Sequence, residues 1–596
     1  MRRALTTAAT ARTLASSSRL APAQRARPVI AATRLPAQVQ VRQHSHAAPA
    51  PVVAPPVSPE NTYDIVIIGG GPAGLALANA LVSQPSLRDG ARTLLLEGGP
   101  LDPVRNWDDQ GPWSNRVSSL TAENIAWIDS EYSLQKHGEL TGGIGAWKHI
   151  AQDRSREVDD IIVWANPDAD STPMLHFPGP DLARMTENVN LQRALLRHLD
   201  EVKQTKGHKL EIREKTRVGD IAYTAGRGSV ALNLGGEWVQ ASLLIGADGP
   251  NSPARKFAQI DTFGHGYNAH GVVATLETQR DVYGNHTAFQ RFLPTGPIAY
   301  LPLGDETTTM VWSTTPEIAA ALKALSPEAL TEMVNAAFSL SENELKLLTE
   351  AVLTAHNDQS AMSAEGIRSI MALFERRVSD APRPPLVRSV DPKSVASFPL
   401  KLAHADKYID HRVALVGDAA HTTHPLAGQG LNAGLADGQA LAKVLEEARR
   451  VGSDLGGITA LAQYPRDRYL TNHILLAAVD KLNSVFGARN PLINWARANG
   501  LEVFNELGPI KDFFMRNAGS GIAGKRTQQQ REFGRARAED KLNAKAAGAP
   551  AALADAVEGL DMARRVASSA GGVIAEGLKN LLRRGADSIE HQQRKP

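Results

Sequence analysis

Hydrophobic residues in this chain occur in short uninterrupted runs that are followed at once by glycine and acidic residues. Residues 65–68, 93–96, 241–245 and 413–416 are such runs, rich in Ile, Val and Leu. Runs of this kind predict strands buried on both faces of a parallel sheet. After the first and the last run the spacing changes to an Ala- and Leu-rich helical pattern. The chain therefore predicts an α/β fold built around a parallel sheet.

The remaining pattern predicts a second sheet and several helices. Residues 190–199 have the spacing of an amphipathic helix, with Arg193 on its polar side, and residues 83–90 are rich in turn formers. Aromatic and β-branched residues between 267 and 314 predict the β-sheet of a second domain. Further strands are predicted at 161–164 and within 207–245, and helices at about 316–355 and 361–377.

The first strand leads into a glycine pattern that is typical of dinucleotide binding. Gly69, Gly71 and Gly74 have the spacing Gly-x-Gly-x-x-Gly, and a helical pattern follows at once. The glycines permit a tight turn, close approach to a pyrophosphate and close helix–strand packing, while the helix N-terminus attracts the phosphates. Glu97, at the end of the second strand, stands where an acidic ribose ligand is expected.

Two later strands end in a similar way. The run 241–245 is followed by Asp248, and the run 413–416 is followed by Asp418. The second of these leads to a loop and a helix, so the backbone N–H groups near Gly430 and Leu431 can face negative charge. Because ligands of open α/β sheets bind at the carboxyl ends of the strands, these acids are candidate ligand contacts.

Composition excludes several kinds of chemistry. The chain has 596 residues, 42% of them hydrophobic, and no cysteine. The absence of cysteine excludes disulfides, thiolate metal sites and redox dithiols, so redox chemistry requires a bound cofactor. No run of about 18 apolar residues predicts a membrane span. His421 and His424 suggest a metal site, but no carboxylate flanks them at metal-ligand spacing, and no metal is expected.

The N-terminal region differs from the rest of the chain. Residues 1–59 contain eight arginines and no acidic residue, a pattern typical of an organelle transit peptide, here predicted over 1–46 with a linker at 47–61. The alternative is a basic arm for nucleic acid. These arginines account for the formal net charge of +2, so the remainder is acidic and no nucleic-acid partner is expected.

Taken in order, the three motifs resemble the class A flavoprotein aromatic monooxygenases, which share the para-hydroxybenzoate hydroxylase fold. Other segments are similar to the ubiquinone-biosynthesis hydroxylases, and to their mitochondrial branch in particular. The similarity covers about residues 62–520. It is carried by residues 115–119, 145–147, 163–164, 290–297, 311–315 and 413–432.

The resemblance implies a Rossmann-like FAD-binding domain, discontinuous in sequence, with an inserted β-sheet substrate domain and C-terminal helices. The FAD-binding domain is expected at 62–154, 181–262 and 385–450. The substrate domain is expected at 155–180 and 263–384, and the helical region at 451–520.

The resemblance also implies roles for individual residues around FAD. Arg116, which by its residue type is either a surface arginine or a bidentate donor to an anion, becomes a nucleotide ligand. Arg193 would lie near the FAD ribose, Asp248 near the pyrophosphate and Asp418 at the ribityl chain. Pro425 and the backbone of Gly428, Gly430, Leu431 and Asn432 would frame the isoalloxazine. No side chain is implied as an acid or base, because the flavin does the chemistry.

The implied reaction is hydroxylation of a phenol ring through a flavin C4a-hydroperoxide formed with O2. The implied substrate is a polyprenylated 4-hydroxybenzoate or related phenol, hydroxylated at ring carbon C5 in ubiquinone biosynthesis. Electrons would come from a ferredoxin and its reductase, otherwise from NADPH. Other coenzyme Q biosynthesis proteins would be partners in a complex, and the enzyme would lie on the matrix side of the mitochondrial inner membrane.

Two alternatives stay open, an aromatic hydroxylase with another phenolic substrate and a non-catalytic subunit that retains FAD. A flavin disulfide reductase is excluded by the absence of cysteine, and the Trp-x-Trp-x-Ile-Pro motif of flavin halogenases is absent.

Residues 521–596 lie outside the resemblance. They end in an apolar stripe that includes Val573, Leu578 and Leu582, next to basic residues. Such a helix either lies on a membrane surface or packs against protein.

Overall fold

The computed structural model describes residues 54–129, 133–134, 140–141, 143–164, 174–280, 284–374, 383–424 and 428–487. The predicted transit peptide, residues 47–53 of the linker, Pro425 and the tail at 521–596 lie outside the described residues. The expectations about them stay predictions.

The described residues form twenty strands and thirteen α-helices. The strands are β1 (Thr62–Ile68), β2 (Thr93–Leu96), β3 (Val117–Thr121), β4 (Ser133–Leu134), β5 (Leu140–Thr141), β6 (Ser155–Trp164), β7 (Met174–Glu187), β8 (Leu210–Arg213), β9 (Ile221–Tyr223), β10 (Val230–Leu234), β11 (Glu237–Gly246), β12 (Thr262–Thr278), β13 (Thr287–Leu293), β14 (Gly296–Pro302), β15 (Thr307–Thr314), β16 (Val387–Val390), β17 (Ala396–Ala405), β18 (Ile409–Asp410), β19 (Val413–Leu415) and β20 (His421–Thr422). The helices are α1 (Pro72–Ser83), α2 (Pro85–Gly90), α3 (Asp102–Arg105), α4 (Ala122–Asp129), α5 (Asn188–Thr205), α6 (Pro253–Phe257), α7 (Pro316–Ala324), α8 (Pro327–Ser339), α9 (Glu342–Asn357), α10 (Ala364–Met371), α11 (Gln429–Arg450), α12 (Ile458–Leu461) and α13 (Gln463–Gly487).

The first sheet confirms the predicted parallel core. Its strands follow the order β18-β19-β11-β1-β2-β8, with β9 and β10 added beside β11. The pairs β19–β11, β11–β1, β1–β2 and β2–β8 are all parallel. The side chains of β1 from Ile65 to Ile67 are fully buried, which explains their uninterrupted apolar run.

The register of this sheet aligns the carboxyl ends of four strands. Ile68 of β1 lies opposite both Leu96 of β2 and Gly246 of β11. Gly246 in turn lies opposite Leu415 of β19. The residues that follow these strands therefore meet at one edge of the sheet, where ligands of this architecture bind.

The second sheet contains the predicted aromatic strands. Its order is β20-β17-β12-β15-β14-β13-β6-β7-β3, with β16 beside β12. Trp164, Tyr300 and Trp312 are buried in a separate hydrophobic core between this sheet and helices α7 to α10. Its edge strand β20 lies three residues after Asp418 in the chain. The pairing of His421 with His404 of β17 therefore joins the Asp418 segment to this second sheet. The exact boundaries of the predicted domains stay a prediction.

Several helices differ from the expected pattern. The region 316–355, predicted as helical, contains three helices. Thr315 and Ser326 cap new starts before Pro316 and Pro327, and Ser341 forms a capping box with Glu344. The turn-rich residues 83–90 include the short helix α2. Of the helix predicted at 361–377, residues 361–374 are described, and among these the helix spans Ala364–Met371.

The placement of Arg193 on a polar helix face was wrong, because its side chain is only 4% exposed. In the described ranges, no helix combines the length and apolarity that crossing a bilayer requires.

Candidate functional site

The glycine pattern after β1 forms a loop that requires glycine at two of its three positions. Gly69 has a φ of +111°, and a Cβ there would lie 2.2 Å from the carbonyl oxygen of Ala247. A Cβ on Gly74 would lie 2.0 Å from the carbonyl oxygen of Gly69. The loop is therefore pressed between α1 and the end of β11, as the spacing predicts.

The start of helix α1 faces open space. Its N-cap is Gly71. Among the described residues, no side chain caps it and no atom lies within 4 Å of where a Cβ of Gly71 would be. Beside it, the Glu97 carboxylate accepts hydrogen bonds from the backbone N–H groups of Gly70 (2.6 Å) and Gly99 (2.7 Å). Uncapped N–H groups with an adjacent acid are what a nucleotide phosphate and ribose require.

Asp248 lies at the same edge, after β11. Its Oδ2 accepts a hydrogen bond from the backbone N–H of Ala254 (3.2 Å). Its Oδ1 is buried and has no hydrogen-bond partner among the described residues. Burial raises the pKa of the carboxyl, although hydrogen bonds from Ser252 and the backbone partly oppose this. A buried acceptor without a partner suits a polar ligand group.

Asp418 is placed by a short 3₁₀ turn, Gly417–Ala419, directly after β19. Gly417 has a φ of +62°, which favours glycine. The Asp418 side chain is exposed, yet burial by surrounding protein raises the pKa of its carboxyl, against the lowering effects of His421 and Lys401. A side chain that reaches solvent while protein surrounds it lines a concave surface.

Helix α11 begins at the same concave surface. Its N-cap, Gly428, is left-handed with a φ of +60°, and no side chain in the described part of the chain caps the helix. The Asn432 side chain is buried and fastens this start to the β3–α4 corner. Its Nδ2 donates to the carbonyl oxygen of Ser119 (2.6 Å), and its Oδ1 accepts from Thr121 N–H (3.0 Å) and Asn124 Nδ2 (2.9 Å). Asn432 thus positions the loop through protein contacts, and half-buried Gly430 and Leu431 lie in the first turn.

A seam of small residues brings the two uncapped helix starts together. A Cβ on Gly434 of α11 would lie 3.1 Å from Cα of Gly417 and 3.4 Å from Cβ of Ala73. A Cβ on Gly438 would lie 3.6 Å from Cβ of Leu77. Helices α1 and α11 therefore pack closely, and their N-termini point to the same edge as Asp418.

The two predicted arginines are in different surroundings. Arg116 is exposed, and its carbonyl oxygen accepts a hydrogen bond from Asn188 N–H. Arg193 donates to the carbonyl oxygen of Trp107 (3.0 Å) and to Asp109, and its guanidinium lies 4.9 Å from the Trp107 ring. Gln192, which the sequence reasoning missed, donates to the carbonyl oxygen of Gly70 in the fingerprint loop (3.1 Å).

Comparisons with known proteins agree with this geometry. The profile of an FAD binding domain family matches residues 375–470. The mitochondrial ubiquinone biosynthesis monooxygenase COQ6 of Schizosaccharomyces pombe is 36% identical over 78% of this chain and 93% of its own length. Its counterpart in Xenopus tropicalis is 38% identical over 76% of this chain and 92% of its own length.

The chain belongs to the ubiquinone biosynthesis monooxygenase family. It is an FAD-dependent monooxygenase, as predicted, and the names of its relatives place them in the mitochondrion.

Solved structures show the same fold. The p-nitrophenol 4-monooxygenase PnpA of Pseudomonas putida has a TM-score of 0.52 at 17% identity, covering 77% of this chain and 99% of PnpA. PqsL of Pseudomonas aeruginosa has a TM-score of 0.51 at 20% identity, covering 74% of this chain and all of PqsL.

The site of this family member fits FAD. Two uncapped helix starts, the unpartnered Oδ1 of Asp248 and the open space at Gly71 form a concave surface with donors and acceptors for a dinucleotide. The hydroxyl of Thr423, whose methyl lies 3.6 Å from a Cβ position on Gly430, is also buried without a partner among the described residues. A ligand with polar groups along its length would satisfy these atoms.

A buried charge cluster beneath the loop was not predicted. Asp437 of α11 is hydrogen-bonded to His421 Nε2 (2.6 Å) and forms an ion pair with Arg468 of α13 (2.9 Å). The signal in the sequence is an acid on the apolar stripe of α11, four residues before Leu441 and eight before Leu445. His421 thus has a carboxylate partner, and within the described residues no group of three or more His, Cys, Asp and Glu side chains could hold a metal.

Proposed function

We propose that this monooxygenase hydroxylates ring carbon C5 of a polyprenylated 4-hydroxybenzoate or a related phenol in ubiquinone biosynthesis. The observation that carries the proposal is the convergence of Glu97, Asp248 and Asp418 with two helix N-termini, in a chain whose relatives are named ubiquinone biosynthesis monooxygenases. This arrangement supports a bound flavin, and the relatives' names support the pathway.

Each part of the site has a proposed task in holding FAD. The N-terminus of α1 with Gly69, Gly71 and Gly74 would bind the pyrophosphate, and Glu97 the adenosine ribose. Asp248 would accept a hydrogen bond near the pyrophosphate, and Asp418 one from the ribityl chain. Arg116, Arg193, Pro425 and the 428–432 backbone stay proposed contacts, with Arg193 also holding the loop at Trp107.

The chain's own part in the reaction is electrostatic and geometric. Bound FAD would supply O2 activation and transfer of one oxygen atom to the phenol. The N–H groups at the start of α11, near Gly430 and Leu431, would stabilise negative charge that develops beside them. No side chain is proposed as acid or base. The protein orients the ring and keeps water away from it.

An apolar recess supports a substrate with an apolar part. It has a volume of about 160 Å³ and lies between β12, β17 and α13. The Phe263 ring in its wall is 45% exposed. Apolar walls of this kind favour hydrocarbon over water. The lining residues are Phe263, Leu402, His404, His473, Leu476, Ala477 and Asp480.

The partners are also proposals. We expect electrons from a ferredoxin and its reductase, association with other coenzyme Q biosynthesis proteins, and a peripheral position on the matrix side of the inner membrane. The resemblance supports each of these. Removing residues 548–596 and measuring vesicle binding tests the membrane role of the tail, and unchanged binding would exclude it.

Reconstitution tests the proposed reaction. The full chain loaded with FAD is incubated with a short-chain prenylated 4-hydroxyphenol and O2, and supplied with either reduced ferredoxin or NADPH. We expect a C5-hydroxylated product with ferredoxin and little with NADPH. Turnover of only unprenylated phenols would indicate the other-substrate hydroxylase, and flavin that neither reduces nor turns over O2 would indicate a non-catalytic subunit.

Product analysis in cells gives an independent check. A strain that lacks its own enzyme should accumulate a prenylated phenol without the C5 hydroxyl group. Expression of this chain should remove that compound, and persistence of it despite soluble, FAD-loaded protein would contradict the proposal.

A further inference from the structure

Asp437 is a completely buried acid whose two carboxylate oxygens contact different parts of the molecule. Its side chain is 0% exposed in the middle of helix α11. Oδ2 faces the segment that contains Asp418, and Oδ1 faces helix α13. No part of the proposed reaction assigns a role to this residue.

Oδ2 holds both ends of the Asp418 segment. It accepts a hydrogen bond from the backbone N–H of Gly417 (3.2 Å) and another from the His421 imidazole Nε2 (2.6 Å). Asp418 lies between these two anchors. Gly417 adopts a left-handed conformation that glycine tolerates, and the carboxylate fixes the turn at both of its ends.

Oδ1 is held by helix α13. It accepts hydrogen bonds from Arg468 Nε (2.9 Å) and Asn472 Nδ2 (2.9 Å). Arg468 also donates to the Asn472 side-chain oxygen (2.7 Å), so the two donors fix each other. On the same helix, the Tyr464 hydroxyl donates to the carbonyl oxygen of Leu415, at the end of β19 (2.7 Å). Helix α13 therefore contacts strand β19, which precedes the Asp418 segment, and Asp437, which holds that segment.

The charges keep Asp437 ionised. Burial alone would raise the pKa of its carboxyl, but His421 and Arg468 outweigh that effect and hold the pKa far below its usual range. A permanently ionised carboxylate accepts stronger hydrogen bonds than a neutral amide would in its place.

We propose that Asp437 is a positioning residue that fixes the Gly417–His421 segment so that Asp418 faces the flavin, and that Arg468 and Asn472 hold Asp437 in place. This inference rests on the proposed contact between Asp418 and FAD. It assigns to α13 a part in cofactor binding, although α13 itself supplies no proposed FAD contact.

FAD titration of apoprotein variants tests the proposal. Asp437→Asn leaves Arg468 as a buried cation without its partner, so the Asp437→Asn/Arg468→Met double variant is measured beside it. Each apoprotein is titrated with FAD, its thermal unfolding is recorded, and the visible circular dichroism of its bound flavin is compared with wild type. We expect FAD binding about tenfold weaker or more in the double variant, with an altered flavin signal.

A second pair of variants tests the contact from the other side. His421→Leu removes the donor to Oδ2, whereas His421→Gln retains an N–H donor. We expect weaker FAD binding with leucine and substantial recovery with glutamine. If the Asp437 variants do not fold, this pair decides the question, since loss of packing alone would not be rescued by glutamine.

Glu446→Gln is the matched control. Glu446 is also buried on α11, but it accepts its hydrogen bond from Ser86 of α2. We expect it to bind FAD as wild type does. Unchanged FAD affinity in folded His421→Leu and in the double variant, or an equal loss in Glu446→Gln, would overturn the proposal. Failure of the wild type to hydroxylate a phenol while it binds FAD would refute the proposed function and leave this inference standing.

Discussion

Gly69 and Gly71 lie two residues apart in one loop, but the fold requires them for different reasons. A Cβ on Gly69 would overlap the Ala247 carbonyl at 2.2 Å, in a backbone conformation that L-residues avoid. Gly71 has an ordinary φ of −70°, and its Cβ position is empty. The first glycine is therefore needed by the protein itself, and the second only by a ligand that approaches the backbone.

This difference predicts opposite behaviour of two alanine variants. Gly69→Ala should lower the free energy of unfolding of the apoprotein by about 1–3 kcal/mol, because of strain and overlap. Gly71→Ala should leave apoprotein stability almost unchanged and weaken FAD binding, because its methyl group would occupy the space in which we propose that the pyrophosphate binds. Chemical denaturation and FAD titration of both apoproteins check this, and equal stability of the two variants would contradict it.

Residues in local motifs were predictable, and residues whose partners are distant in sequence were not. Glu97, Asp248 and Asp418 follow directly from strands that end at one edge. Arg193 is buried by a loop more than eighty residues earlier, through Trp107 and Asp109. The pattern of its own helix carries no information about that loop, so its burial could not be predicted.

Helix α13 and strand β17 form the element pair that encloses the apolar recess. Leu476 and Ala477 of the helix line one side of the recess, and Leu402 and His404 of the strand line the other. The volume of the recess is about 160 Å³. Neither the strand nor the helix pattern showed the recess, since it depends on how the two elements are spaced.

Filling the recess tests its role. Ala477→Trp should lower kcat/KM for a long-chain prenylated phenol by roughly tenfold or more, through lost burial of apolar substrate surface. FAD affinity and turnover of a phenol without a prenyl chain should stay unchanged. Leu470→Trp, at a position of the same helix that is 64% exposed, is the control. An equal loss for both substrates would exclude a role in binding the chain.

Helix boundaries can be predicted from the capping residues in the sequence. Ser326-Pro327 and Ser341 with Glu344 mark the starts of α8 and α9, and the sequence shows both signals. The prediction over 316–355 gave helices without these internal boundaries.

At the scale of the whole molecule, three buried histidines in different parts of the fold make its stability depend on pH. His198, His404 and His424 lie in different elements, and burial lowers the pKa of each from 6.5 to about 4. The unfolded chain protonates them near pH 6.5, and the folded chain does so only near pH 4. The folded state is therefore favoured above pH 6.5, and this advantage is lost as the pH falls toward 4.

The expected result is a steep fall in stability with acidification. Between pH 6 and 5 the free energy of unfolding should decrease by up to about 4 kcal/mol, as unfolding takes up about three protons. Denaturant unfolding of the apoprotein at several pH values measures this. His198→Gln should reduce the slope by about a third, and a slope unaffected by pH in this window would contradict the assignment.

The strand order of the first sheet has a consequence for how the protein is made. Leu244 of β11 pairs with Val413 of β19, so the sheet that carries Glu97 and Asp248 gains its next strand only after some 170 further residues. Such a pairing closes a long loop and forms late in folding. During synthesis, or during passage through a membrane as an extended chain, the fingerprint emerges long before Asp418 and α11. A nascent chain that ends before residue 413 holds only half of the proposed nucleotide site, so we expect FAD to be enclosed only once nearly all of the catalytic fold has emerged.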